Sequence, residues 1–293
     1  MRALDRSRLA LATSALARAP TPTPALLDAW LQLHYAAQAA SEVGKAWAVP
    51  QADDSHSSFG WEDARLVGAW VPATRRFRAA LRARDLELAL VDEAGAVLAC
   101  HALSGVKLDE AMAWVRDAAQ RAAGGPARQA GVPAPDLPPH RVADGAPFAL
   151  DAAAFAELAR LLEGANTILC DVGTGLGAGP VRVWPHHFDM ATLAVVEERG
   201  GAATKTIGIG LAPPDAVASA GYWYVSPWAA REPATAVRWP PLANGRWIDR
   251  GGALRMAALP LDELAAIVPG EARPGALAGF LADAVEACRA RLA

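Results

Sequence analysis

At 293 residues the chain can form one large domain or two of ordinary size, and in either case it can bury a substantial core. With 53% hydrophobic and 20% charged residues it has the composition of a folded protein and not of a disordered one. The formal net charge of -3, from 28 basic and 31 acidic residues, provides no concentrated basic face for phosphate backbones and argues against a nucleic-acid partner.

The N-terminus carries Arg2, Arg6 and Arg8 ahead of the apolar stretch Leu9 to Leu16. Thr13, Ser14 and Arg18 interrupt that stretch, and Pro20 directly follows the only Ala-Arg-Ala cleavage site, so a short amphipathic helix is expected rather than a signal peptide. Elsewhere no uncharged apolar run approaches the roughly 18 residues that a membrane span needs. Cys100, Cys170 and Cys288 are odd in number and far apart, which gives neither a disulfide framework nor a metal knuckle. A reducing, cytoplasmic setting is therefore expected, with each cysteine acting as a small buried hydrophobe.

Ala19 to Pro24 (APTPTP) cannot be helical and forms a stiff lead-in, so residues 1–24 read as an N-terminal extension. A long helix from about Ala25 to Trp47 follows, with Leu26, Trp30, Leu33, Ala37 and Ala40 on one core stripe. Beside that stripe runs a polar line of His34, Gln38, Ser41, Glu42 and Lys45, which either borders a pocket or forms the solvated edge of the helix. After a loop beyond Pro50, alternation predicts strands near 59–71, 76–82, 85–91 and 96–103, the last two joined by the turn Asp92-Glu93-Ala94-Gly95. Arg76, Arg78, Arg82 and Arg84 share a face, expected to be solvated. A helix over Asp109 to Ala123 closes this first half, residues 25–124.

Residues 125–147 are rich in Pro and Gly and read as a strap. The second half, 148–293, predicts a helix from Asp151 to Leu162, strands near 181–184, 187–197, 204–211, 221–225 and 253–258, and closing helices near 261–267 and 274–291. Gly200-Gly201 marks a turn between two of the strands. The expected class is α+β, with antiparallel sheets flanked by helices and two halves that hint at a pseudo-repeat packed as one unit.

Thr167 to Gly179 (TILCDVGTGLGAG) looks like an apolar strand running into the glycine loop of an S-adenosylmethionine-dependent methyltransferase. Pro180 and Pro185 leave no room for the helix such a loop must open, so a plain glycine turn is the stronger expectation. Arg182 to Val195 (RVWPHHFDMATLAV) is more informative. As a strand it places His187 and Asp189 on one face and Trp184, His186 and Phe188 on the other. Imidazole and carboxylate on one rigid face suit a general-base pair or a divalent transition metal, with His34, His56 and His140 as candidates for the third ligand. Structurally hydrogen-bonded histidines are the plainer alternative. Trp184, Trp223, Trp228, Trp239 and Trp247 crowd one quarter of the chain together with Tyr222 and Tyr224. That crowding fits a ligand cleft, a subunit interface or ordinary core packing.

Leu33-His34 with Gln38, then Val43-Gly44-Lys45, then Val181 to Ala191 (VRVWPHHFDMA), then Gly221 to Trp228 (GYWYVSPW) and a C-terminal helix follow one another in a fixed order. This order resembles an uncharacterised bacterial domain-of-unknown-function family, colinear from about Ala25 to the C-terminus. His34, Gln38, Trp184, Phe188 and Asp189 match that pattern in place; Gly44-Lys45 stands further from Gln38 than in the family, and APTPTP replaces a tryptophan-proline opening. The resemblance implies no reaction or cofactor. The leading expectation is a cleft between the first helix and the 181–197 strand that binds a small molecule. Asp189, His34 and His187 would be its catalytic or metal-binding groups, and Gln38, Trp184, His186, Phe188, Tyr222 and Tyr224 its lining. Metal-assisted hydrolysis is the first reaction to test. The competing expectation is a non-catalytic protein that forms homo-oligomers or other complexes through its Trp and Tyr surface.

Overall fold

A computed structural model describes residues 4–16, 21–127, 137–231, 239–250, 255–267 and 272–293. Its elements in chain order are α1 (Arg6–Thr13), α2 (Pro24–Trp47), β1 (Gly60–Glu62), β2 (Arg65–Val67), β3 (Phe77–Arg82), β4 (Glu87–Asp92), β5 (Val97–Ala102), α3 (Leu108–Ala123), α4 (Ala152–Leu176), β6 (Arg182–Val183), β7 (Met190–Arg199), β8 (Ala202–Ala212), β9 (Tyr222–Ala229), β10 (Arg246–Asp249), β11 (Arg255–Pro260), α5 (Leu261–Ala266) and α6 (Ala272–Leu292). The class is α+β with two antiparallel sheets, as expected. The chain divides into two compact units that interleave along the sequence. Thr23–Arg160 and Arg182–Phe188 form the α2 unit, and Met1–Pro22, Leu161–Val181 and Asp189–Ala293 form the β7 unit. Among the described residues no helix is long and apolar enough to cross a membrane.

In the α2 unit the proline-rich lead-in ends where Thr23 caps α2, its hydroxyl accepting from Leu26 N at 3.2 Å, with Pro24 in the first helical position where a missing N–H costs nothing. The rest of the expected extension falls partly on residues 17–20, outside the described ones. The stripe Leu26, Trp30, Leu33, Ala37 and Ala40 is buried as expected. His34, Gln38, Ser41 and Glu42 are buried too, so the solvated-edge alternative is corrected. α2 is enclosed on every side and must find internal partners for its polar groups. Glu42 takes its partner from α3, accepting from Arg116 Nε at 2.8 Å. Gly44 lets the helix abut the turn Ser55–Ser57: a Cβ at this position would stand 2.1 Å from the His56 carbonyl oxygen.

The sheet of this unit is a meander in the order β1-β2-β3-β4-β5, with β3 packed on α2. The single strand expected over 59–71 is a hairpin, because Asp63 and Ala64 both adopt positive φ. The arginine face is solvated only in part, against expectation: Arg78 lies over the Trp70 ring and the Nε atoms of Arg78 and Arg82 are buried, while Arg76 pairs with Glu93, Arg78 with Glu62, and Arg82 with Asp85 and Glu87. α3 ends at Gly124, in the left-handed conformation at φ 67. The strap that follows falls partly on residues 128–136, outside the described ones. Just beyond the strap the Gln32 side chain donates to Ala149 O at 3.1 Å and accepts from Ala149 N at 2.7 Å.

In the β7 unit the largest departure is α4. The helix expected to stop at Leu162 runs on to Leu176, so residues expected as a strand and glycine loop are helical. The methyltransferase loop is therefore not formed. Gly173 and Gly175 sit inside the helix where neighbours come close, Thr192 Oγ at 3.4 Å and Leu4 Cδ2 at 3.2 Å from added Cβ atoms, and the turn comes only at Gly177, φ 65. α1 packs on α6 with Leu9 and Thr13 buried, although Leu11 is exposed, so α1 lacks the clean apolar face expected of it.

The strands run β10-β11-β9-β8-β7, and β10 was not foreseen. This order differs from the β1 to β5 meander, so the pseudo-repeat is not confirmed. Gly200 and Gly201, at φ 60 and 79, make the β7–β8 turn as expected. Cross-strand register places Met190, Leu211 and Trp223 in one row and Thr192, Ile209 and Val225 in the next, all buried on the packed face of the sheet. The opposite, outer face carries Ala191, Gly210 and Tyr224, then Leu193, Gly208 and Ser226. Of the cysteines only Cys288 is buried; Cys100 and Cys170 are exposed, against expectation.

Replacing Gly44 by alanine forces α2 away from the His56 backbone, which cannot rotate aside as a side chain would. We expect a loss of about 2 to 4 kcal/mol, read as a fall in the urea midpoint, whereas alanine at the open Gly125 leaves stability within about 0.5 kcal/mol.

Candidate functional site

The 184–188 segment is a turn and not the start of a strand, so the alternating faces expected for His187 and Asp189 are corrected. Phe188 N donates to Trp184 O at 2.6 Å, and Phe188 adopts φ 56. The strand begins only at Met190. Pro185 lacks the N–H a ladder would need, and the left-handed residue at 188 turns the chain before pairing resumes. His186 and His187 are consequently exposed, 4.6 Å apart by ring centroid, with the edge of Trp184 near His186.

Two donors from α2 hold this turn. His34 Nε2 lies 3.0 Å from the Pro185 carbonyl oxygen, and Gln38 Nε2 donates to the same oxygen at 2.6 Å. The Phe188 ring stacks on the His34 imidazole at 4.9 Å. Because a carbonyl can only accept, His34 must carry its proton on Nε2, which leaves Nδ1 bare, buried and without a partner. Burial is the chief reason the His34 pKa falls to about 4, with His187 and His186 lowering it further and the Pro185 carbonyl pulling the other way. His34 is thus a neutral, structurally bound histidine at physiological pH. Its donor is already spent, and Gln38 is likewise a positioning group.

Asp189 belongs to the β7 unit and finds its partner there. Tyr224 projects from β9 onto the outer face of the sheet and donates its phenolic proton to Asp189 Oδ2 at 2.5 Å. The ring can lie flat across β8 only because residue 210 is glycine: a Cβ there would stand 2.7 Å from Tyr224 Cε1 and 2.8 Å from Met190 O. Two residues earlier on the same face, Tyr222 donates to Asp215 Oδ2 at 2.8 Å, and Asp215 Oδ1 accepts from Val217 N at 2.7 Å. The rings lie 6.3 Å apart. Burial first, and then the adjoining carboxylates, raise both phenols well above the ordinary tyrosine value, so both stay protonated as donors.

Of the residues expected at the site, Asp189, Tyr222 and Tyr224 come together in the β7 unit, while His34, Gln38 and Phe188 meet around Pro185 in the α2 unit. Asp215 was not foreseen. Its side chain is recruited by a turn after Pro213-Pro214, and no periodicity marks such a turn. Among the described residues no three His, Cys, Asp or Glu side chains are grouped so as to hold a metal ion, so His34, His187 and Asp189 do not form the expected ligand set. The aromatic crowding is largely packing: Trp223 and Tyr222 are buried and Trp239 stacks on Trp247 at 4.1 Å, whereas Trp228 is exposed. No family model, curated protein or solved structure matches the chain.

The folded-state pKa of His34 lies below the ordinary histidine value of 6.5, so between about 4 and 6.5 the unfolded chain binds a proton that the folded chain does not. Stability is complete above that window and falls as pH drops through it, by roughly 3 kcal/mol at pH 4. Urea midpoints measured from pH 4 to 7 should show this slope in the wild type and a shallower one in His34→Gln.

Proposed function

We propose that the protein binds a small molecule bearing a protonated amine or several hydroxyls, and that Asp189 on the outer face of the β7-unit sheet is its anchor. The observation supporting this is the half-satisfied carboxylate. Tyr224 fixes Oδ2, while Oδ1 of the half-buried Asp189 has no hydrogen-bond partner among the described residues. A carboxylate oriented by a buried phenol beside a second Tyr–Asp pair is preorganised to accept from a ligand, at little entropic cost. Phenols held protonated by burial act as hydrogen-bond donors and not as general bases, which favours recognition of a ligand by this pair. The resemblance to a bacterial family of unknown function, carried by His34, Gln38, Trp184, Phe188 and Asp189, would add a position to this reading and no chemistry.

The test is a thermal-shift and calorimetric screen of amines and polyols. A ligand that stabilises the wild type should bind at least tenfold more weakly to Asp189→Asn, and several-fold more weakly to Tyr224→Phe, which loses one hydrogen bond worth about 1 kcal/mol. Ligands that bind the wild type and Asp189→Asn equally would overturn the proposal, as would the absence of any hit from either class.

A second reading has its own observation. On the outer face Leu193, Val195 and Trp228 are about half exposed, at 50%, 46% and 51%. Asp189 and Asp215 lie toward one end of these strands, and Arg199, Lys205 and Arg231 toward the other. A second copy laid antiparallel on this face would cover the apolar strip and set each acidic end against a basic one, as a two-fold interface requires. Sedimentation should then show a dimer that dissociates in Leu193→Lys; a wild-type monomer at high concentration ends this reading.

A further inference from the structure

The far end of the β7–β8 hairpin holds an arrangement that the Asp189 site does not use. The register between β7 and β8 slips between Val195 and Glu197 and again between Glu197 and Glu198, so that Glu197 pairs with Lys205. Such bulges re-aim side chains at the ends of strands. Here the result is a closed set of contacts on one carboxylate. Thr204 Oγ donates to Glu197 Oε1 at 2.8 Å, Arg199 Nε lies 2.6 Å from the same oxygen, and Lys205 Nζ lies 3.2 Å from Oε2. Lys205 also donates to Leu292 O at 2.7 Å, at the C-terminal end of α6. The ammonium is therefore held in place from two sides.

These groups line an open cavity of about 330 Å³ together with Ala229, Ala230 and Arg231. Three cations face it against a single carboxylate. Thr204, Lys205 and Arg199 hold the Glu197 carboxyl down to a pKa of about 2, so it stays ionised near neutrality and the three cations outnumber it by two. Among the described residues Glu197 pairs with Lys205 and part of Arg199, and no acceptor there pairs with the remaining Arg199 donors or with Arg231. The cavity is at the small end of the range of ligand sites, large enough for one compact headgroup. Planar guanidinium forks beside a fixed ammonium match the oxygens of a dianionic phosphate better than a single carboxylate, which would leave one charge unmet. Along β7 this point is about 25 Å from Asp189, counting eight residues of strand.

We propose that this cavity is a binding site for a phosphate monoester, held by Arg199, Lys205 and Arg231. The phosphate could belong to a free metabolite or to a lipid headgroup, and two experiments separate those sources. Calorimetry of the full chain with inorganic phosphate should show one site, at least tenfold weaker in Arg231→Gln and in Arg199→Gln and unchanged in Asp189→Asn. Cosedimentation with phosphatidylcholine vesicles, with and without phosphatidic acid, reads the second source. Binding that appears only with phosphatidic acid and is lost in the same two variants assigns the site to a headgroup. Circular dichroism confirms that the variants fold, since neither arginine is buried. Absence of binding in both experiments, or binding that survives both substitutions, overturns the proposal.

Discussion

The Pro185 carbonyl oxygen is the point on which the α2 unit's most unusual local structure depends. It accepts from both His34 and Gln38, four residues apart on α2, and so ties a buried helix to a five-residue turn. Each donor leaves an acceptor unpaired in the interior, Nδ1 on the histidine and Oε1 on the glutamine. An unmet buried polar atom costs about 1 to 3 kcal/mol, so the clamp is justified by what it positions more than by its own bonds. What it positions is the left-handed Phe188 on the His34 ring, two residues before β7 begins at Met190.

A second constraint is the absence of side chains at Gly208 and Gly210. Glycine in a strand interior weakens the strand, and here it opens the face on which the Tyr224 ring lies. The phenol then reaches a carboxylate 35 residues away, and the neighbouring Tyr222 repeats the pairing with Asp215. Polar chemistry in the β7 unit is thus organised by tyrosines as permanent donors. In the α2 unit it is organised by a neutral histidine that has given up its donor. Both arrangements fix their polar groups rigidly.

Charge is handled with the same economy. Arg76 and Arg78 are paired with Glu93 and Glu62, and Arg82 with both Asp85 and Glu87, leaving a face without a strong field. At the β7–β8 turn the matching is deliberately incomplete in its effect: one carboxylate serves two cations, and a third stands beside them. A small chain with almost balanced charge can therefore still present one strongly positive hollow.

Elements whose cause is local were legible in the amino-acid order. The capped start of α2 after its prolines, the apolar stripe from Leu26 to Ala40, the Gly124 stop and the Gly200-Gly201 turn all follow from propensity, periodicity and backbone freedom. Where two local signals competed, tertiary packing decided. Thr167 to Gly175 has the composition of a strand and glycine loop, yet it completes α4, because its glycines permit close approach to Thr192 and Leu4. Asp189, Tyr222 and Tyr224 could be named from their neighbours, but Asp215 and the role of Gly210 could not, since nothing in a run of residues reveals which distant ring will cross it. Chain order settles which stretches are helix, strand and turn through forces reaching a few residues; which side chains share a carbonyl, a carboxylate or a cavity is a matter of three-dimensional proximity, and only the folded packing supplies it.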